Sequence, residues 1–214
     1  MFSRRYTNFW DGLFRPSKMH LLGSGEVKTL TNLVTNGNFV DETGWTKINS
    51  PANISYSPDG RSAGAIKIIS TTSPATAPMI DQAISMIATH KYYVSAWRFL
   101  ESGNAGTSVI YLANNLGTAG YLTVPQSNSA TGAWYRHSAI YTATTTRTEY
   151  LQFGRGSPAL YTARFCDAII IDLTAAFGAG NEPTQTEFES WINTQSNSWF
   201  DTTANYLANT NQWF

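Results

Sequence analysis

The stretch HKYYVSAWRFL, residues 90–100, decides the fold class. It has no Gly or Pro, and its aromatic and β-branched residues alternate rather than recur at helical spacing. As a strand it carries Tyr93, Ser95, Trp97 and Phe99 on one face and Tyr92, Val94, Ala96 and Arg98 on the other. Similar runs lie on both sides: GAIKIIS (64–70), TSVIYLAN (107–114), AWYRHSAIYT (133–142), TEYLQFG (148–154), ALYTARF (159–165) and DAIIIDL (167–173). Between the runs lie the turn-forming stretches SPDG, ESGNAG, NNLGTAG, SNSATG and GRGSP. Many short strands punctuated in this way predict an all-β sandwich or barrel. Residues 77–88, APMIDQAISMIA, read equally as a strand or a helical turn, and there is no internal repeat.

Composition narrows the function. The chain has 214 residues, a length that suits one domain with extensions. Charged residues are 13% and the net charge is +0, so neither a nucleic-acid footprint nor a polybasic membrane surface is expected. No apolar run reaches membrane-spanning length, and the first residues lack the apolar core of a secretory signal. The chain has 7 Trp, 11 Tyr and 11 Phe with few charges, which suits a β protein that meets sugars or other proteins. The one cysteine, Cys166, lies in the apolar run ARFCDAIIIDL and is expected as a small buried hydrophobe.

TAAFGAGNEPTQTEFESWI, residues 174–192, has glycines ahead of a helix and invites a phosphate-loop reading. It lacks the third glycine and the lysine of such loops, and it carries Glu182, which repels phosphate. A strand-to-helix corner accounts for more residues. Gly178 and Gly180 permit positive φ, Thr184 is an N-cap candidate, and Glu187 three residues later completes a capping box. Phe188, Trp191 and Ile192 then share one helix face.

The two ends are extended. In residues 1–31, Phe9, Trp10, Leu13 and Phe14 recur at helical spacing before Pro16 and GSG interrupt them. They read as an anchoring segment or as a terminus with a few docked side chains. The stretch SWFDTTANYLANTNQWF (198–214) is aromatic and nearly uncharged. Its aromatic side chains are expected to dock on their own domain, a sister subunit or another protein. Phe9, Trp10, Phe14, Trp199, Phe200, Trp213 and Phe214 are the partner-docking candidates.

NLVTNGNFVDETGWT (32–46) resembles the opening strand of carbohydrate-binding-module jelly rolls of the family 4/9/22 type. GAWYRHSAIYTATTTRTEYLQFGRG and ARFCDAIIID are similar to their last half. The corner DLTAAFGAGNEPT with its helix resembles a tail found after such domains in bacteriophage virion proteins. These resemblances imply a jelly-roll β-sandwich over 32–175, followed at 176–214 by a glycine corner, a short helix and an aromatic tail. They imply a structural virion component of a tail, fibre or other appendage, located in the virion. It would assemble as a homo-oligomer, a trimer by analogy, with other virion proteins. The alternative is an adhesion module that recognises host-surface glycans. The family often holds a structural calcium; Asp167 matches its last-strand ligand, while Val40 stands where the first-strand acid is expected, with Asp41 one place later. No other cofactor is implied.

Residue types point to no enzyme. His20, His90 and His137 are scattered without zinc spacing, and no nucleophile elbow or clear carboxylate pair is present. Sugar binding needs aromatic platforms and a few polar groups. Trp97, Arg98, Tyr111, Trp134, Tyr135 and Gln152 lie on expected strands. With Trp97 assigned to the core beside Tyr93 and Phe99, Tyr92 and Arg98 point outward. The glycan candidates are therefore Tyr92, Arg98, Tyr111 and Gln152.

Overall fold

A computed structural model describes residues 27–49, 53–70, 78–103, 110–114, 130–154, 160–195 and 199–200, and residues 122–123 and 203–207 by backbone alone. The candidates Phe9, Trp10, Phe14, Trp213 and Phe214 lie outside the described residues.

The strands are β1 (Val27–Thr31), β2 (Thr46–Ile48), β3 (Ile54–Ser57), β4 (Ala65–Ser70), β5 (Met79–Met86), β6 (Lys91–Gly103), β7 (Ile110–Ala113), β8 (Leu122–Thr123), β9 (Trp134–Thr142), β10 (Arg147–Phe153), β11 (Tyr161–Asp172) and β12 (Thr203–Leu207). Two short helices, α1 (Leu173–Phe177) and α2 (Gln185–Ile192), follow β11. One five-stranded sheet runs β2-β5-β10-β7-β8 and a second runs β3-β4-β11-β6-β9. All their pairings are antiparallel, and most consecutive strands cross from one sheet to the other. This is the jelly-roll sandwich.

The segment around 77–88 is the strand β5, its alternation of Ile80, Ile84 and Met86 facing the core. The two runs read as strands in this part of the sequence share one long strand, β11, rather than forming two. A register shift between Cys166 and Ile169 interrupts it, with Asp167 at φ 52°. That bulge separates two strand halves that read as distinct in sequence.

Residues 32–46 do not form an opening strand. Asn32 makes an isolated bridge to Ile171, and turns follow as far as Trp45. Asn36 and Phe39 adopt positive φ (53° and 49°), outside the extended region of regular strands. The segment still belongs to the core through its side chains. Phe39 stacks on Trp45 (4.7 Å), Trp45 on Phe153 (5.2 Å), and Phe153 on Phe165 (5.1 Å). Gly37 passes so close to β11 that a Cβ there would meet the Ala168 carbonyl at 2.3 Å.

A second, smaller core lies outside the second sheet. Tyr93, Ile169 and Ile171 meet Leu173, Phe177, Phe188, Ile192, Leu30 and Phe200. This extra layer reverses the expected orientation of β6. Tyr92, Val94, Ala96 and Leu100 face the main core, whereas Tyr93 faces α2 and Trp97 and Phe99 are half-buried on the outside.

The corner forms as its residues predict. Gly178 and Gly180 have φ of 86° and 83°. Thr184 caps α2, and the Thr184–Glu187 capping box is complete. Asp172 caps α1 by accepting from Ala175 N at 2.8 Å. Glu182 ties the corner to β6: its carboxylate accepts from Thr174 Oγ1 (2.7 Å), Gly180 N (3.0 Å) and Lys91 Nζ (3.2 Å). Burial alone would raise its pKa, but the hydrogen bonds from Thr174 and Lys91 hold it down at about 2. Cys166 is fully buried, and burial pushes its thiol far up.

The terminal strands find each other. β1 and β12 pair antiparallel from Val27↔Leu207 to Thr31↔Thr203 as a separate two-stranded ribbon. Two of the partner-docking candidates are taken up by their own domain. Phe200 is buried in the second core against Trp191, and the Trp199 indole donates to the Ala168 carbonyl at 3.3 Å. A short tail of aromatic residues gains most by covering the apolar outside of the second sheet.

Candidate functional site

The outer face of the first sheet carries the candidate site. Along β5, β10 and β7 the residues Ile80, Phe153, Ile110, Leu151 and Leu112 belong to the main core, so their neighbours in sequence face outward. Antiparallel register sets these neighbours in two rows. One row is Thr46, Asp81, Gln152 and Tyr111; the next is Ala83, Tyr150 and Ala113. Gln152 Nε2 donates to Asp81 Oδ2 at 3.3 Å, and both residues are buried. Tyr111 and Tyr150 are half-buried, and Ala83 is exposed between β10 and the sheet edge. The result is two half-buried tyrosine rings beside a buried amide–carboxylate pair, with Ala83 exposed next to Tyr150.

The structure brings together two of the four glycan candidates, Tyr111 and Gln152, as direct cross-strand partners. It separates Tyr92 and Arg98 from them. Both are 1% exposed and face the main core from the second sheet. The Tyr92 hydroxyl accepts from Ile87 N at 2.8 Å, and burial pushes its pKa to about 12. Burial lowers the Arg98 guanidinium to about 10. Alternation along 90–100 distinguishes two faces without saying which is inside, and the layer formed by α2 made the outer face apolar too. Asp81 and Tyr150 are site residues that the sequence reading missed. The alternation of β5 and β10, extended to 77–88, is the signal that places them.

The two calcium candidates, Asp41 and Asp167, sit in different surroundings. Asp41 sits exposed on a turn, where its carboxylate accepts from Thr43 N (2.8 Å) and Asn36 Nδ2 (3.0 Å), and these bonds, Thr43 first, hold its pKa low. Asp167 is fully buried on the β11 bulge. Burial raises it to about 6, opposed by Ser62 and by the guanidinium of Arg61. Calcium takes six to eight oxygens, several from carboxylates. Among the described residues no three His, Cys, Asp or Glu side chains cluster, while both carboxylate oxygens of Asp167 are buried with no hydrogen-bond partner among them.

Three acids are buried among the described residues, and Asp81, on the outer side of the first sheet, is not joined by the other two. Glu149, raised to about 7 by burial, lies in the main core, where it accepts from Tyr141 Oη at 3.0 Å. Asp167 lies on the other sheet. Glycoside cleavage needs two carboxyl groups open to one cleft. A shallow hollow of about 370 Å³ at the edge of the second sheet is lined by Ile69, Ser70, Ser102, Gly103, Leu160, Tyr161 and Thr162, with no charged side chain. No helix among the described residues is long and apolar enough to cross a membrane.

No family model and no curated protein matches the sequence. Solved structures do resemble it. One, described as "CBM4 structure and function", has 16% identity and a TM-score of 0.49 and covers 64% of this chain and 98% of its own. A family 16 carbohydrate-binding module has 14% identity and a TM-score of 0.46, over 65% of this chain and 99% of its own. The enzymatically active domain of tailspike protein 4 from bacteriophage CBA120 has 14% identity and a TM-score of 0.46 over 65% of this chain. The match spans only 21% of that tailspike. Each is a likeness, and the fold stands on strand order and register: the chain is an all-β jelly-roll sandwich with a short C-terminal helix.

Proposed function

We propose that this chain is a carbohydrate-binding module whose ligand lies across the outer face of the first sheet. The row Asp81–Gln152–Tyr111, with Tyr150 beside it, is the observation that carries this reading. Sugars present apolar ring faces edged by hydroxyls. They are held by aromatic rings and a few fixed polar groups. Tyr111 and Tyr150 supply the rings. The Asp81–Gln152 pair forms the polar floor beneath them, held by its own hydrogen bond. Among the described residues the carboxylate on this face is Asp81, tied to Gln152, and we read the role as binding without turnover. Affinity electrophoresis against a panel of bacterial surface and plant polysaccharides tests it: retardation by at least one, weakened in Tyr111→Ala and Tyr150→Ala, is the expected result.

The setting we propose for this module is a virion appendage, with copies of itself and other virion proteins as partners and host-surface glycans as targets. Its support is the resemblance of the 174–192 corner to tails of phage virion proteins. The Val27↔Leu207 pairing adds to it, because the chain enters and leaves the ribbon at one end, as a single attachment point requires. Light scattering of the full chain reads the oligomer, and antibody labelling of particles reads the location. A monomer with no label on any particle would remove this setting and leave the glycan reading standing.

A further inference from the structure

Among the described residues, the outer face of the second sheet is only partly covered. Helix α2 shields the rows of Tyr93 and Ser95, where Phe188 packs on Tyr93 at 4.6 Å and Gln185 reaches Ser138. Beyond it, Arg136, Trp97 and Cys166 form one cross-strand row, and Trp134, Phe99, Arg164 and Lys67 the next. Trp97, Phe99 and Trp134 are half-buried, and each ring has a guanidinium near it. Arg61 Cζ lies 3.4 Å over Trp97; Arg164 Cζ lies 4.5 Å from the Phe99 ring and 5.9 Å from that of Trp134.

The four cations on this face are not equally balanced. Glu101 takes both Lys67 (2.8 Å) and Arg164 (2.9 Å), and Arg164 also reaches Asp59 (3.3 Å). Arg61 draws on Asp167, but Arg136 stands close enough to repel it, adding to the effect of burial on Arg61. Two donors in this row are buried without an acceptor among the described residues, Trp97 Nε1 and Arg136 Nη1. Such donors cost free energy until something accepts from them, and one oxyanion would serve both while relieving the repulsion between the guanidinium groups.

We propose that the Arg61–Trp97–Arg136 row is a second ligand site, on the sheet opposite the tyrosine face, that takes the carboxylate of an acidic sugar. A carboxylate carries a single charge, which the nearby Asp167 tolerates better than a dianion. The half-buried rings of Phe99 and Trp134 alongside offer the apolar surface that a sugar ring needs. Arg61 lies over the Trp97 ring, so the ligand enters as that side chain swings from its stack to bond the carboxylate. This site does not depend on the tyrosine face, because the two lie on different sheets.

The probe is polygalacturonate, titrated into the full chain at low and at moderate salt while Trp fluorescence is followed. Binding that weakens with salt, and that falls about tenfold or more in Arg136→Gln, is expected from loss of a hydrogen bond to a charged group. Trp97→Phe keeps an aromatic side chain but removes the five-membered ring with its Nε1–H; it should weaken binding and remove most of the fluorescence change. Tyr111→Ala should leave this binding unchanged, which separates the site from the first face. Methyl-esterified polygalacturonate should not bind. Absence of binding, equal binding of the ester, equal binding of inorganic polyphosphate, or wild-type affinity in both Arg136→Gln and Trp97→Phe would each overturn the proposal.

Discussion

Gln152 donates to Asp81 across the β5–β10 pair at 3.3 Å, on the side of the first sheet that faces away from the core. A buried amide bonded to a buried carboxylate on an outer face holds both groups in fixed orientation. Gln152→Leu keeps the volume and removes the donor. It should lower stability by about 1–3 kcal/mol, the cost of withdrawing a hydrogen bond from a buried polar group. The urea midpoint reads this; an unchanged midpoint would show that the pair contributes nothing to the face.

Stability should depend on pH with two opposite signs. Glu149 is raised by burial from 4.5 to about 7, and Asp167 from 3.8 to about 6. The folded state therefore keeps protons that the unfolded chain has released, so stability falls as pH rises from about 4 to about 7 and is level above. Glu182 works the other way. Held down at about 2, it contributes stability that is present above 4.5 and lost as pH falls through about 2. Glu149→Gln should be more stable than wild type at pH 8 and lose that advantage at pH 4, by thermal melts at both. An advantage constant with pH would mean that Glu149 does not titrate in this window.

The corner after β11 should be a local unit of stability. Thr184→Ala removes the N-cap of α2 and half of its capping box, at about 1 kcal/mol. Glu182→Ala unties Thr174, Gly180 and Lys91 at once, at about 1–3 kcal/mol. Hydrogen exchange should report faster opening of 173–192 in both variants while β10 keeps its protection. Uniform loss across both sheets would show that the corner and the sandwich open together.

Calcium should not stabilise the domain. A shell built on Asp41 and Asp167 would have to draw an exposed turn carboxylate, held by Thr43 and Asn36, to a fully buried one. Melting temperatures with excess calcium and with chelator are expected to coincide within about 1 °C. A site filled well above its dissociation constant would add several kcal/mol and move the melt clearly.

Local chemistry was legible in the sequence. Gly178, Gly180, Thr184 and Glu187 specify their corner through φ and capping alone, and Cys166 declares its burial by its neighbours. What depends on a third layer was not legible. Tyr92 and Arg98 face the core because α2 and Phe200 cover the opposite face of β6, and no property of residues 90–100 reveals that cover. Long-range pairing was equally hidden: nothing near Val27 points to Leu207. The turns of 33–45 keep the aromatic spacing of a strand because Phe39 and Trp45 must still reach the core. Of the site, Tyr111 and Gln152 were found by residue type. Asp81 lies in the stretch 77–88, which reads equally as strand or helical turn, and Tyr150 carries no signal beyond its place in a strand.

The most direct test is affinity electrophoresis of the wild type, Tyr111→Ala, Tyr150→Ala and the double variant in gels containing one polysaccharide each. The account predicts that at least one polysaccharide retards the wild type. Each tyrosine variant should lose about threefold to tenfold in affinity, the value of one aromatic contact, and the double variant should run as in an empty gel. All four should keep wild-type melting temperatures within about 2 °C, because the rings lie outside the core. Retardation that is the same in all four proteins, or no retardation by any polysaccharide, would contradict the assignment of a glycan site to this face.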